Sequence, residues 1–383
     1  MRVSLAGRAL LASSAVLALA AGAEMLAQQP VPPLSIDHYV TVSSKVPAIL
    51  GQPTQIYLRE RALPTTVARA SALGDRVVLF VHGAGTPAEV AFDVPYQDYS
   101  WMAHLARAGF DVFSMDTTGY GRSTRPYPMN DPCNLSSEQQ APLVGTLLAA
   151  PCKATYAQQA TTLASDWHDI DSVVDHIRAL RRVSKVSLVG WSLGGPRAAG
   201  YASEHPDKVH KLVLLSPAYG AGASATPPAT VPAAGVAFNT QSRAEFDANW
   251  DRQAPCANQF DMAARESVWS EMLASDPVGA TWGTGVRRAP NVTSWGWNRA
   301  AAARITAPVL LVAPVHDVQV NPKTVAQLHA DLGSPEKVLV DLACASHNAL
   351  WERVHGLLFE ASREWLQTGS VKGTKTGVVK LGY

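Results

Sequence analysis

The sequence predicts an α/β chain built on a mostly parallel sheet with helices on both faces. Three observations predict it. Strand-length apolar runs alternate with stretches of helical periodicity along most of the 383 residues. The runs are near-continuous rather than alternating, as strands buried on both faces are. The residues able to do chemistry fall just past the carboxyl ends of those runs, where such sheets present their sites.

Taken in order, the first segment reads as a Sec-type export signal. Arg2 and Arg8 precede the apolar run Ala9 to Ala21, and Ala21-Gly22-Ala23 is an A-x-A cleavage site, giving a signal peptide over 1–23. Met25-Leu26-Ala27 offers a second cut. The run is too short for a stable membrane span, so the expected location is secreted or periplasmic. Ile36 to Ser43 and Gln55 to Arg59 alternate as two leading antiparallel strands. Arg76 to Val81 is a buried strand that runs into His82-Gly83-Ala84-Gly85, and Trp101 to Ala108 is the helix that follows. Phe110 to Met115 is the next strand, ending at Asp116-Thr117-Thr118-Gly119-Tyr120-Gly121-Arg122-Ser123. Ala157 to Arg181 carries Leu163, Trp167, Ile170, Val173, Val174 and Ile177 at helical spacing and predicts a long helix.

The strand beginning at Val186 ends abruptly in Gly190-Trp191-Ser192-Leu193-Gly194. A serine hydroxyl is a poor nucleophile unless the backbone thrusts it out of a tight turn toward a base. Small residues on either side let strand and helix approach closely, and the helix start aims N–H groups at the site. This is the G-x-S-x-G elbow, and it makes Ser192 the candidate nucleophile. After the strand Lys211 to Leu215, the composition turns to Ala, Gly, Thr and Pro until about Val236, and the strand-helix rhythm stays interrupted to about Ala302. Pro308 to Ala313 resumes it, with Asp317 just beyond and Pro322 shortly after; Lys337 to Leu342 is the last strand, followed by Ala343-Cys344-Ala345-Ser346-His347-Asn348.

These segments, in the chain order Ser192, Asp317, His347, resemble the α/β-hydrolase superfamily, specifically its serine esterase and lipase-like members with a cap insertion. The resemblance implies an eight-stranded, mostly parallel sheet, a Ser-His-Asp triad, and an oxyanion hole from the backbone N–H groups of Ala84 and Leu193. Asp116 to Ser123 is similar to the family's D-x-x-G-x-G-x-S turn and is read as scaffold. Two positions depart from the usual pattern: Pro314 stands where glycine is common, and Ser346 precedes His347 where glycine is more usual. Asp116 is the second candidate for the acid because it too follows a strand. The remaining histidines lack a strand-end setting in the right order, and His82 is expected only to brace its loop.

The implied organisation is a core over 24–216 and 303–368, a mostly helical cap over 217–302, and a loose Gly-, Lys- and Thr-rich tail over 369–383. Trp250, Trp269, Trp282, Trp295 and Trp297 either fill the cap's own core or line an acyl pocket together with Tyr219, Trp191 and Trp351, the three expected substrate contacts. An exported chain with four cysteines is expected to pair them. Cys133 and Cys152 bracket one loop and are paired; Cys256 with Cys344 follows by elimination, which would staple the cap to the loop of His347.

A formal charge of +1 gives no electrostatic reason for a nucleic-acid partner, and no C-x-x-C, H-E-x-x-H or G-x-G-x-x-G pattern points to a metal or cofactor. The expectation is a cofactor-free carboxylic ester hydrolase acting on a small-molecule or polymeric ester; nothing in the sequence sets its oligomeric state. Aspartate at the elbow would suit epoxide hydrolases and dehalogenases, but position 192 is serine. The alternatives are an exported prolyl-aminopeptidase-like serine peptidase, which needs a cap carboxylate among Glu245, Asp247, Glu266 and Glu271 to hold the substrate ammonium, and a non-catalytic binding protein on the same scaffold.

Overall fold

The computed structural model describes residues 31–69, 73–228 and 237–383. The signal segment 1–23 lies outside the described residues. Strands β1 (Leu34–Ser43), β2 (Pro53–Ala62), β3 (Val77–Val81), β4 (Asp111–Met115), β5 (Val186–Trp191), β6 (Val209–Leu215), β9 (Val309–Pro314), β10 (Lys337–Leu342) and β11 (Gly377–Leu381) form one sheet in the order β1-β2-β4-β3-β5-β6-β9-β10-β11. β1 pairs antiparallel with β2, and β2 antiparallel with β4. Every other neighbouring pair is parallel.

All five residues of β3 and of β4, and all six of β5 and of β9, are buried, which explains their continuous apolar runs. One face carries Val78, Phe80, Val189, Val213 and Val312 against helices α1 (Trp101–Arg107) and α6 (His355–Thr368). The other carries Leu79, Val81, Leu188, Leu214 and Leu311 against α2 (Leu163–Arg181) and α5 (Pro322–Asp331). α2 starts later than the periodicity suggests because Thr162 and Ser165 form a reciprocal capping box, which satisfies two free N–H groups and fixes the first turn.

Two features differ from expectation. The sheet has nine strands, one more than the implied eight. The extra strand is β11, so the segment expected to be loose is ordered: Val379 and Leu381 are buried while Val378 faces solvent, and β11 pairs with β10 from Val338↔Gly377 to Leu342↔Leu381. Its alternation is short and flanked by Gly, Lys and Thr, so composition outweighed period.

The cap is not wholly helical. It holds α3 (Arg243–Asp251) and α4 (Met262–Ala274) beside an antiparallel ribbon of β7 (Phe238–Ser242) and β8 (Val286–Pro290). The sulfurs of Cys133 and Cys152 are bonded within the loop after the D-x-x-G turn, and Cys256 of the cap is bonded to Cys344. Among the described residues no helix is long and apolar enough to cross a membrane.

Candidate active site

The turn after β5 holds Ser192 at φ 59°, the left-handed region that costs a non-glycine residue energy and persists only where its surroundings enforce it. The surroundings are close-packed. A Cβ at Gly190 would lie 2.5 Å from the Gly194 carbonyl oxygen, and one at Gly194 would collide with the Val81 carbonyl. A Cβ at Gly83 would come within 2.9 Å of Ser192 Cβ, so the loop after β3 lies directly against the elbow because it lacks a side chain there.

Beyond β9, the chain turns through an Asp317 N–H to Pro314 carbonyl hydrogen bond of 3.2 Å, so proline serves where glycine is more common. The Asp317 carboxylate is locked: Oδ1 accepts from the N–H groups of Gln319 and Val320, both at 2.8 Å, and Oδ2 lies 2.8 Å from His347 Nδ1. Both side chains are buried. With Nδ1–H donating to the carboxylate, Nε2 of His347 is the nitrogen left for chemistry.

The His347 loop is held at several points. Trp191 Nε1 donates to the His347 carbonyl at 2.9 Å, the Ser346 N–H donates to Glu352 Oε2 at 2.8 Å, and His347 N–H reaches Gln253 Oε1 of the cap at 3.3 Å. Glu352 has no exposed surface, and burial raises its pKa to about 7 against the donors that favour its charge.

His82 braces the loop after β3. Its Nε2 accepts from the Thr117 N–H at 3.2 Å and its Nδ1 donates to the Gly83 carbonyl at 2.8 Å, which sets the Nδ1–H tautomer. Burial, aided by the Arg197 guanidinium, pushes its pKa well below the usual histidine value. Arg197 is itself fully buried, 2.7 Å from Asp166, and donates to the carbonyls of His82 and Gly83. Among the described residues, the N–H groups of Ala84 and Leu193 donate no hydrogen bond.

Ser192, His347, Ala84, Trp191 and Trp351 line one pocket, open to solvent at its mouth. No hydrogen bond links Ser192 Oγ to His347 in this resting arrangement. The second candidate acid, Asp116, is elsewhere: it is buried, accepts from the N–H groups of Ala88 and Arg122, and shapes the D-x-x-G turn.

A family model described as Hydrolase_4, serine aminopeptidase S33, matches residues 74–354. The chain belongs to this family of the α/β-hydrolase superfamily. Among solved structures, this S33-family serine hydrolase is similar to an esterase from Rhodococcus sp. ECU1013 (TM-score 0.54, 16% identity, 88% of this chain and 99% of that chain covered). It is also similar to a bromoperoxidase from Bacillus anthracis (TM-score 0.52, 14% identity, 87% and 99% covered). A thermophilic esterase from Thermogutta terrifontis aligns with TM-score 0.50 at 14% identity over 86% and 98% of the two chains. At these identities the likeness is one of fold. No curated protein sequence matches the chain.

The S33-family pocket is walled differently from the sequence expectation. Tyr219 does not line it: its hydroxyl donates to Asp331 on α5 at 2.8 Å and its ring packs edge-on against Trp297. A residue only a few positions past β6 was close in sequence to the strand end, but the chain carries it away over the other sheet face. None of the five cap tryptophans lines the pocket either. Trp250 packs between Phe246 and Trp351, Trp269 lies tilted against Phe246, Trp282 meets Phe238, and Trp295 meets Trp167. They build the cap and its seat. The wall instead uses Gln241, Phe246, Asn249, Met272 and Arg287 of the cap with Thr86, Gln319 and Asn348 of the core. No sequence motif marks these residues, because cap packing is set by contacts distant along the chain.

Proposed function

We propose that this serine hydrolase cleaves carboxylic esters through an acyl-enzyme, with Ser192 as nucleophile, His347 as general base and Asp317 as the orienting acid. The observation that carries the reading is the 2.8 Å contact between His347 Nδ1 and Asp317 Oδ2 at the rim of the pocket that also holds the strained Ser192. His347 Nε2 takes the Ser192 proton as Oγ attacks the ester carbonyl, and Asp317 stabilises the imidazolium that forms. The N–H groups of Ala84 and Leu193, which donate no hydrogen bond among the described residues, receive the oxyanion. The imidazolium then gives its proton to the leaving alcohol, and a water activated by His347 releases the acid. The hydroxyl-to-imidazole contact closes in the substrate complex, as catalytic hydrogen bonds often do.

The lining favours an ester over an aminoacyl peptide as substrate. No aspartate or glutamate lines the pocket with Ser192. Of the four cap carboxylates available for a substrate ammonium, Glu245 accepts from Ser242, and Asp247 and Glu266 are paired with Arg243. Glu271 is also outside the lining. Two disulfides support export into an oxidising compartment.

The test is hydrolysis of a short p-nitrophenyl ester by parent and Ser192→Ala, with fluorophosphonate labelling of both. Loss of turnover and of label in a folded Ser192→Ala protein is expected. Equal rates in the two proteins would overturn the mechanism, and faster cleavage of aminoacyl amides than of esters would favour the peptidase.

A further inference from the structure

We infer that the pocket selects esters carrying a second, anionic group, the monoesters of short dicarboxylic acids, and that Arg287 binds the free carboxylate. The inference rests on the ester-hydrolase reading for its substrate class but not for its anion site. Arg287 stands on β8 and lines the same pocket as Ser192 and His347. Its Nε donates to Gln241 Oε1 at 3.1 Å, which fixes the plane of the guanidinium, while its two terminal nitrogens have no acceptor among the described residues. Burial pulls its pKa below the usual arginine value.

Its neighbours show that this is a departure. Arg288, next in the chain, is paired with Asp276 at 2.7 Å; Arg197 has Asp166, Arg181 has Glu60, and Arg265 has Asp251. No carboxylate lies within ion-pair distance of Arg287 among the described residues. Arg287 is half-buried, so its guanidinium is partly stripped of water without gaining an anionic partner, and that cost is offset when a carboxylate enters. The fixed fork of a guanidinium matches a carboxylate bidentately.

The location sets the length of the ligand. A Cβ at Gly85 would collide with the Arg287 guanidinium, so the side chain lies over the backbone one residue beyond Ala84, whose N–H faces the reacting carbonyl in the proposed mechanism. The second carboxylate is therefore close to the ester, as in a half-ester of a short diacid. The other polar groups of the wall, Thr86, Gln241, Asn249, Gln319 and Asn348, are uncharged and do not repel it.

Two measurements test this. In the first, acid release from monoethyl succinate and from ethyl butyrate is followed by pH-stat for parent, Arg287→Met and Arg287→Lys, with folding checked by circular dichroism. The parent should prefer the half-ester, and Arg287→Met should lower the ratio of kcat/KM values by about 30-fold or more, chiefly through KM, with Arg287→Lys between them. A ratio moved less than threefold in folded Arg287→Met overturns the inference. In the second, succinate binding is measured by calorimetry in a Ser192→Ala background, where no turnover is needed. Weaker binding by about 30-fold on adding Arg287→Met supports the site; equal affinity, or no succinate binding in either protein, overturns it. A parent that binds succinate through Arg287 but cleaves neither ester would sink the esterase reading and leave the anion site standing.

Discussion

Arg197 Nη1 lies 3.0 Å from the Gly83 carbonyl oxygen and donates to it, tying the segment after the Ser192 turn to the loop after β3. The same nitrogen reaches the His82 carbonyl, and Nε holds Asp166. The two N–H groups proposed to receive the oxyanion, on Ala84 and Leu193, thus belong to segments joined through one buried guanidinium. Replacing it leaves Asp166 buried without a partner. Arg197→Met should cost about 3–5 kcal/mol of unfolding free energy, read from denaturant midpoints. An Asp166→Leu/Arg197→Met pair should recover part of that loss without recovering kcat, because the loop carbonyls still lack their donor. Full recovery of kcat in the pair would show that Arg197 has no positioning role.

The two disulfides should differ in weight. In the chain-entropy account, the crosslink over the longer loop restricts the unfolded chain more. Cys256–Cys344 spans 88 residues and Cys133–Cys152 spans 19, which corresponds to about 4.6 against about 3 kcal/mol. Replacing Cys256 and Cys344 by alanine should therefore lower Tm further than replacing Cys133 and Cys152. It should also lower turnover selectively, since Cys344 sits at φ 46° in the loop that carries His347 and the bond fastens that loop to the cap. Equal Tm losses and equal turnover in the two double variants would refute the difference.

The positions around the elbow were legible because a parallel sheet converts local sequence into place: each strand end delivers its next few residues to one edge. Asp317 and His347, 30 residues apart, meet at 2.8 Å for that reason. The wall facing them was not legible. Phe246, Met272 and Arg287 reach the pocket through the packing of α3, α4 and β8, which no local pattern encodes, and the tryptophan cluster drew notice by size although it seats the cap. β11 was missed because two buried residues in period two, Val379 and Leu381, are too few to outweigh glycine and lysine around them.

Stability should fall as pH rises through the weakly acidic range. Burial raises Asp169 to about 7 from an ordinary 3.8; it lies behind the D-x-x-G turn, where its Oδ2 accepts from the Thr118 N–H. The folded carboxyl keeps its proton up to about pH 7, whereas the unfolded one releases it near its ordinary value, so the native state binds more protons across that window. Stability is therefore greatest below the unfolded pKa and declines until the folded pKa is passed, by at most about 4 kcal/mol from this group. Asp116, raised to about 6, and Glu352, raised to about 7, act with the same sign. Asp169→Asn keeps an acceptor for Thr118 but does not titrate. Its Tm should drop less than the parent's between pH 5 and pH 8, and identical pH profiles would contradict this assignment.

Two aspartates follow strands near the site, and their substitutions should fail in different ways. Asp317→Asn keeps the shape of the side chain and an oxygen for the Gln319 and Val320 N–H groups, but an amide neither stabilises an imidazolium nor holds the Nδ1–H tautomer if its NH₂ faces His347. Turnover should fall by about 10³- to 10⁴-fold with KM little changed. The melting temperature should stay within a few degrees, because the backbone hydrogen bonds at Oδ1 survive. Asp116→Asn, by contrast, retains the acceptor for Ala88 but brings two N–H donors where Asp116 Oδ2 accepts from the Arg122 N–H, in a site with no exposed surface. It should lower Tm clearly while kcat, measured below the new melting range, stays within about tenfold of the parent, since a turn displaced at a distance perturbs the site only indirectly. Steady-state kinetics and thermal melts on the two variants read both quantities. If Asp116→Asn loses turnover as severely as Asp317→Asn while remaining folded, the acid has been assigned to the wrong strand end.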